Sequence, residues 1–247
     1  MKKENILFSI IGVLLGFIVG FTFANTTNQR GYAAQGVAAV QQQQQPAGLP
    51  PNHPPVENSG PSAESVEAAA KLAAEQPDNF DAQARAAELL YAAHRYPEAI
   101  RLFERANQLR PDDFDVLLGL GNTNFDAERF EEAGRWYAAA LERQPDNVNV
   151  RTDLGLTFFF REPRDTGRAV KEFRASLERD PSHVPTLQNL TVALNAAGDR
   201  EAARATLSKL ESVSPQNPAL PRLRAELEKA DAAAQVPAKS SAEKGGD

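Results

Sequence analysis

The chain contains no cysteine, a single methionine, a single tryptophan and three histidines in 247 residues. Without cysteine there is no thiol nucleophile, no disulfide framework, no thiolate metal site and no residue to acylate in the manner of a bacterial lipoprotein. The histidines, His53, His94 and His183, are too widely separated for metal-ligand spacing. No His-Glu-x-x-His, phosphate-cradling glycine loop or Gly-x-Ser-x-Gly occurs. Acidic residues are numerous, but Glu131-Glu132, Asp112-Asp113 and Glu226 with Glu228 fall in turns or on helix faces, where solvated charge is the ordinary outcome. These shortages point away from an enzyme, so no catalytic residue, metal or cofactor is assigned. Nucleic acid is an equally poor partner, because the net charge is −6 and the isoelectric point about 5.3, whereas phosphate neutralisation needs a concentrated basic surface. The arginines alternate with glutamates instead: Arg101, Glu104, Arg105 and Arg110 are expected to form a solvated helix face with i,i+3 and i,i+4 pairs.

What the chain does contain is a period. Pro77, Pro111, Pro145, Pro181 and Pro215 stand 34, 34, 36 and 34 residues apart, in phase with Ala99, Ala133, Ala169 and Ala203. Between Asp113 and Pro145 the apolar pattern of Leu117, Leu120, Gly121, Phe125, Ala133, Tyr137, Ala140 and Leu141 surrounds a break at residues 127–129. That is the pattern of two amphipathic helices folded as a hairpin. Gly121 and Gly155 remove side chains where the helices meet, Ala133 and Ala169 do so from the other side, and Tyr137 and Phe173 fill the seam toward the next unit. Each proline closes its unit, since it donates no helical hydrogen bond and displaces its predecessor from the α region. Asp78, Asp112, Asp146 and Ser182, just after the prolines, are expected to cap the following helices. The 36-residue unit places its extra residues in the turn around Pro163-Arg164-Asp165.

Leu120-Gly121 with Ala133, Tyr137 and Pro145, and Leu154-Gly155 with Ala169, Phe173 and Pro181, resemble the signature of tetratricopeptide repeats. The outer units depart from it, with Ala86-Ala87 and Leu190-Thr191 at the Leu-Gly position and Leu207 at the aromatic one. The resemblance implies an all-α solenoid of four helix-turn-helix repeats, at 78–111, 112–145, 146–181 and 182–215, with capping helices at 62–76 and 218–234. The tail at 235–247 is too poor in apolar residues to pack and is expected to be disordered.

The N-terminus is of another kind. After residues 1–5, the 19 uncharged residues 6–24 would span roughly 28 Å as a helix, close to the apolar thickness of a bilayer. They are expected to form a transmembrane signal anchor, with cleavage after Thr22-Phe23-Ala24 as the alternative. Gly12, Gly16 and Gly20 lie on one strip of that helix, a surface suited to self-association or simply a dilution of the apolar run. Lys2 and Lys3 keep residues 1–5 in the cytoplasm and place the repeats on the periplasmic side of a bacterial inner membrane. Residues 25–61, which include Gln41 to Gln45 and PAGLPPNHPPVENSGP, form a disordered tether with a root-mean-square span of roughly 35 Å.

In the family, first helices line a concave groove for a protein or peptide. Carried onto this chain, the groove comprises Glu88, Tyr91, Leu118, Asn122, Phe125, Asp126, Thr152, Phe159, Phe160, Gln188 and Asn195. Aromatics and amides together suit an extended peptide or a partner helix. Of the consecutive Phe158, Phe159 and Phe160, Phe158 is expected in the core, while the other two are open between groove and packing. The clamp by which some members hold a C-terminal carboxylate is not matched: among Ala84, Glu88, Leu118, Asn122, Thr152, Leu156, Gln188 and Val192 only Asn122 fits. The whole resembles membrane-anchored repeat proteins of envelope assembly, and Leu49-Pro50-Pro51-Asn52-His53-Pro54 is similar to tethers of those that assist cytochrome c maturation. A periplasmic client-holding chaperone, released by signal cleavage, is the alternative function.

Overall fold

A computed structural model describes residues 60–235. The chain divides into two units, Met1–Asn58 and Ser59–Asp247, and the described residues lie in the second. The expected anchor, its glycine strip, nearly all of the tether and the tail after residue 235 lie outside them. Among the described residues there are ten helices and no strand. They are α1 (Ala63–Glu75), α2 (Phe80–Ala92), α3 (Tyr96–Leu109), α4 (Phe114–Asp126), α5 (Phe130–Arg143), α6 (Val148–Phe160), α7 (Thr166–Arg179), α8 (Val184–Ala196), α9 (Arg200–Val213) and α10 (Leu220–Gln235). Each helix packs chiefly on its sequence neighbours, and α2/α3, α4/α5, α6/α7 and α8/α9 are the hairpins. The first helices α2 and α4, α6 and α8, and α8 and α10 also approach one another, more closely than any pair of second helices, so the first helices line the inner side of the stack.

Local chemistry explains the boundaries, with one correction to the expected caps. Helices α2, α4, α6 and α8 begin three residues after Pro77, Pro111, Pro145 and Pro181, because a two-residue turn intervenes, closed at Asn79 N–H to Gln76 O, Asp113 to Arg110, Asn147 to Gln144 and His183 to Asp180, whereas α10 begins five residues after Pro215. The capping side chains are therefore Asn79, Asp113 and Asn147, each accepting from the backbone N–H three residues on, not Asp78, Asp112 and Asp146. Those three aspartates instead pair with Arg105, Arg143 and Arg179 from the second helix of the same unit. Ser182 does not cap either; its hydroxyl donates to Asp180 Oδ1 at 2.7 Å, and the following His183 makes no side-chain cap. The expected solvated face on α3 is also redrawn. Arg105 donates along the helix to Gln108 Oε1 at 2.9 Å and also to the Pro77 carbonyl at 2.9 Å, while Arg110 pairs with Asp81 and stacks on Phe80, so the face is held by the preceding helix as well as by its own.

The seam inside the stack follows a simple steric rule. A Cβ added at Gly121 would lie 2.5 Å from the Tyr137 ring, one at Gly155 2.5 Å from Phe173, and one at Gly119 2.6 Å from Phe103. Phe103, Tyr137 and Phe173, at one register of the second helices, thus each lean on one glycine. Tyr137 and Phe173 lean on their own first helix, whereas Phe103 leans on the first helix of the next unit and faces Ala87 in its own. Where neither register offers a glycine, at Thr191 in α8, the second helix carries Leu207 and no ring. The rings are essentially removed from water, which makes these contacts unforgiving: Tyr137 is 1% exposed and Phe173 0%.

Candidate functional site

The inner face is built from the sides of α2, α4, α6 and α8 that do not meet second helices. Tyr91 on α2 donates its phenolic hydroxyl to Asp126 Oδ2 on α4 at 2.8 Å, tying the first and second units together. One unit on, Tyr137 donates to Asn122 Oδ1 at 2.9 Å. That bond occupies the Asn122 oxygen and leaves its amide N–H groups without a partner among the described residues. Burial raises the Asp126 carboxyl above its ordinary range, opposed by the Tyr91 hydrogen bond and by His94. Burial also raises the Tyr91 phenol, with the Asp126 charge adding to the effect.

Asp153 on α6 completes this cluster, and the groove assignment from sequence omitted it. Its carboxyl is pushed up to about 7, by burial first and then by the charge of Asp126. No arginine or lysine pairs with either carboxylate among the described residues, although ion pairs are common elsewhere on the chain. A signal existed: Asp153 is the only acidic residue in the VNVRTDLGLTFFF helix. It was obscured because the same register holds Arg85, Gly119 and Asn189 in the other units, so no pattern repeats.

The other residues expected in the groove divide between open surface and packing. Glu88 is exposed and pairs with Arg85 at 3.4 Å. Leu118, Asn122, Asp126, Phe160, Gln188 and Asn195 are half-buried. Gln188 donates to Asn217 Oδ1 at 2.8 Å, while the Asn195 side-chain oxygen is buried without a partner. Thr152 is not on the open face. It is buried at the joint between units three and four, with its hydroxyl bonded to Val148 O at 2.8 Å and to Thr186 Oγ1 at 2.6 Å. Phe125 and Phe159 are buried as well, at 8% and 7% exposure.

The phenylalanine run settles differently from its expectation. Phe159 is the buried member, and Phe158 is half-buried beneath the guanidinium groups of Arg161 and Arg168. At 100° per residue only one of three consecutive rings reaches the interior, and the register here selects the middle one. Phe160 packs edge-on against Phe125 at 6.0 Å and stacks with Phe130 at 5.8 Å, forming an aromatic cluster at the end of α4 and α6. The open face therefore offers uncompensated carboxylates, amide donors and acceptors and the rims of aromatic rings. Among the described residues no group of three or more His, Asp or Glu is close enough to hold a metal ion.

The repeat assignment rests on sequence and architecture together. A tetratricopeptide repeat model matches residues 90–154 and 161–227, more than half of the chain, and a second such model matches residues 58–113. The chain belongs to the tetratricopeptide repeat family. It is therefore a protein-interaction module of that family. Its fold is similar to a crystal structure of MamA, with 16% identity, a TM-score of 0.57 and coverage of 62% of this chain and 88% of the other. A MamA fragment from Desulfovibrio magneticus RS-1 is similar to the same degree, with 16% identity, a TM-score of 0.57 and coverage of 63% and 86%. At that identity the likeness concerns the fold. No curated protein sequence matches the chain at a significant level.

Proposed function

We propose that this tetratricopeptide protein is a membrane-anchored scaffold or assembly factor of the bacterial cell envelope. Residues 6–24 hold it in the inner membrane as a single-pass anchor, residues 25–61 act as the tether, and the repeats dock a protein partner on the periplasmic side. Gly12, Gly16 and Gly20 provide a packing strip through which anchors self-associate. The observation that carries the docking role is the polar and aromatic inner face, where Asn122 keeps amide N–H groups without a partner among the described residues and Asp126 and Asp153 have no cation. Such a face suits an extended peptide or helix whose backbone the amides satisfy and whose side chains meet Tyr91, Leu118 and Phe160. The pathway we assign is cytochrome c maturation, on the similarity of Leu49-Pro50-Pro51-Asn52-His53-Pro54 to tethers of that group. Among the described residues no helix is long and apolar enough to cross a membrane, so the anchor rests on residues 6–24 alone.

Crosslinking of the protein in its own membrane, followed by mass spectrometry, tests the pathway: haem-maturation components should be enriched, and an unrelated set would overturn it. An alkaline phosphatase fusion after residue 234 should be active, and an active cytoplasmic reporter there would reverse the topology. The Thr22-Phe23-Ala24 sequence favours a second reading, a periplasmic client-holding chaperone cut free of its leader. Intact mass separates the two, since cleavage removes residues 1–24.

A further inference from the structure

Charge is sorted between the two sides of the stack. The first helices α2, α4, α6 and α8 carry five acidic residues, Asp81, Glu88, Asp115, Asp126 and Asp153, against two arginines. The second helices α3, α5, α7 and α9 carry eleven basic residues against nine acidic ones. Both arginines of the first helices are already engaged, Arg85 with Glu88 and Arg151 with Glu172 of α7. Asp81 pairs with Arg110. Asp115, Asp126 and Asp153 are left without a cation among the described residues, and the last two lie close enough that each Asp153 ionisation is opposed by the Asp126 charge.

A second observation sets the same place apart. At one register of the second helices stand Phe103, Tyr137, Phe173 and Leu207, so the second unit alone carries a hydroxyl there. Tyr137 is 1% exposed, and that hydroxyl reaches through the seam to donate to Asn122 Oδ1 at 2.9 Å. The bond fixes the amide plane and keeps the Asn122 N–H groups as donors for something else. Tyr91 holds Asp126 in the same way, donating to Oδ2 at 2.8 Å from α2. The Tyr91 ring, with Tyr96 at 6.1 Å between centroids, adds half-buried aromatic surface of the kind on which cations rest. We infer that the inner face of the second and third units recognises a basic side chain, an arginine or lysine of the docked segment seating between Asp126 and Asp153 while the Asn122 amide holds a backbone carbonyl beside it. The inference rests on the reading of this face as the docking surface. A cation supplies the counter-charge that two neighbouring carboxylates lack, in a place less screened than open solvent, whereas an acidic or uncharged segment would cover them uncompensated.

Selection of a short random-sequence peptide library on the full-length protein, followed by calorimetry on the enriched peptides, tests this. Enriched peptides should share an arginine or lysine at one place, and replacing it by norleucine should weaken binding about tenfold or more. Asp126→Asn with Asp153→Asn, which leaves Tyr91 an acceptor, should cause a similar loss for the basic peptide and little for the norleucine one. The replacement within the peptide keeps the test decisive should the protein variant fold poorly. Asp153 adds a readout that a merely structural role would not move. Its carboxyl, facing Asp126, Tyr91 and Tyr137, is raised to about 7, and a docked cation favours the ionised form, so binding at about pH 6 should release protons. The binding heat should then depend on the buffer's ionisation enthalpy in wild type and not in Asp153→Asn. Acidic or uncharged peptides that photo-crosslink from position 122 would overturn the inference while sparing the docking reading. No enrichment, or crosslinks only from Arg135 and Arg174 positions, would overturn both. A crosslink from position 122 to residues 236–247 or to a second copy would assign the face to the chain itself and overturn the inference as well.

Discussion

Replacing Gly155 by alanine tests the rule that Phe103, Tyr137 and Phe173 each lean on one glycine. On helix propensity alone the change should stabilise, because alanine is favoured over glycine by about 1 kcal/mol in a helix interior. The structure opposes it. The new Cβ would lie 2.5 Å from Phe173 Cε1 and 2.8 Å from Cδ1, and the ring is 0% exposed. It cannot swing aside as Phe103 does over Ala87, since the register that Phe103 uses in the next unit is Gly119 and the one facing Phe173 is Asn189. Overpacking of this kind costs about 1–3 kcal/mol, and because the ring is fully buried the upper part of that range applies, so after the propensity gain of about 1 kcal/mol a net loss approaching about 2 kcal/mol is expected. Urea unfolding followed by circular dichroism, with equal m-values for the two proteins, measures it. Two companions sharpen the result. Gly167→Ala, with its nearest neighbour Asp165 Oδ1 at 3.7 Å, should be neutral or slightly stabilising. The double change Gly155→Ala with Asn189→Gly offers the ring the opposite side and should recover much of the loss. Gly155→Ala as stable as wild type, or a double variant worse than the single one, would refute the steric rule.

Asp153→Asn should raise stability at and above about pH 7. A carboxyl raised to about 7 from an ordinary 3.8 keeps its proton in the folded chain while the unfolded chain releases it, so wild-type stability falls as pH rises between those values. The ceiling is roughly 4 kcal/mol, and partial solvent access brings the expected gain to about 1–2 kcal/mol. Thermal melts across pH check this, and parallel profiles for the two proteins would contradict it. At the hairpin turns, Glu128 holds φ 59° and Gly198 φ 81°. Glu128→Gly should therefore stabilise by about 0.5–1 kcal/mol, and Gly198→Ala, which has nothing within 4 Å to clash with, should destabilise by about as much. A matching sign for the two changes in denaturant melts would count against backbone strain as their cause.

The repeat was legible in the sequence because proline, alanine and aromatic positions recur at one period, and close packing leaves few substitutes at them. The caps were misplaced by one residue, since the two-residue turn after each proline depends on a backbone bond such as Asn79 N–H to Gln76 O that no side chain announces. Burial on the inner face was harder to read. Thr152, Phe125 and Phe159 occupy first-helix positions like those of Leu118 and Tyr91, yet each is covered by particular neighbours of differing size. Asp153 shows the same difficulty in reverse, as an unpaired carboxyl beside Asp126 in a register that repeats nothing. His183 was legible as an isolated histidine in a turn, but not as a bridge, because its partners Asn149 and Thr186 meet only when two units stack.

The central claim is that the inner face of the first helices docks the partner, and residue-specific photo-crosslinking in the native membrane tests it most directly. A photoreactive side chain at Asn122 or Gln188, both on that face, should yield a discrete adduct with one and the same protein. The same group at Arg135 or Arg174, exposed on the second helices α5 and α7, should yield none. Adducts formed from Arg135 and Arg174 with none from Asn122 and Gln188 would contradict the account and move the working surface to the second helices.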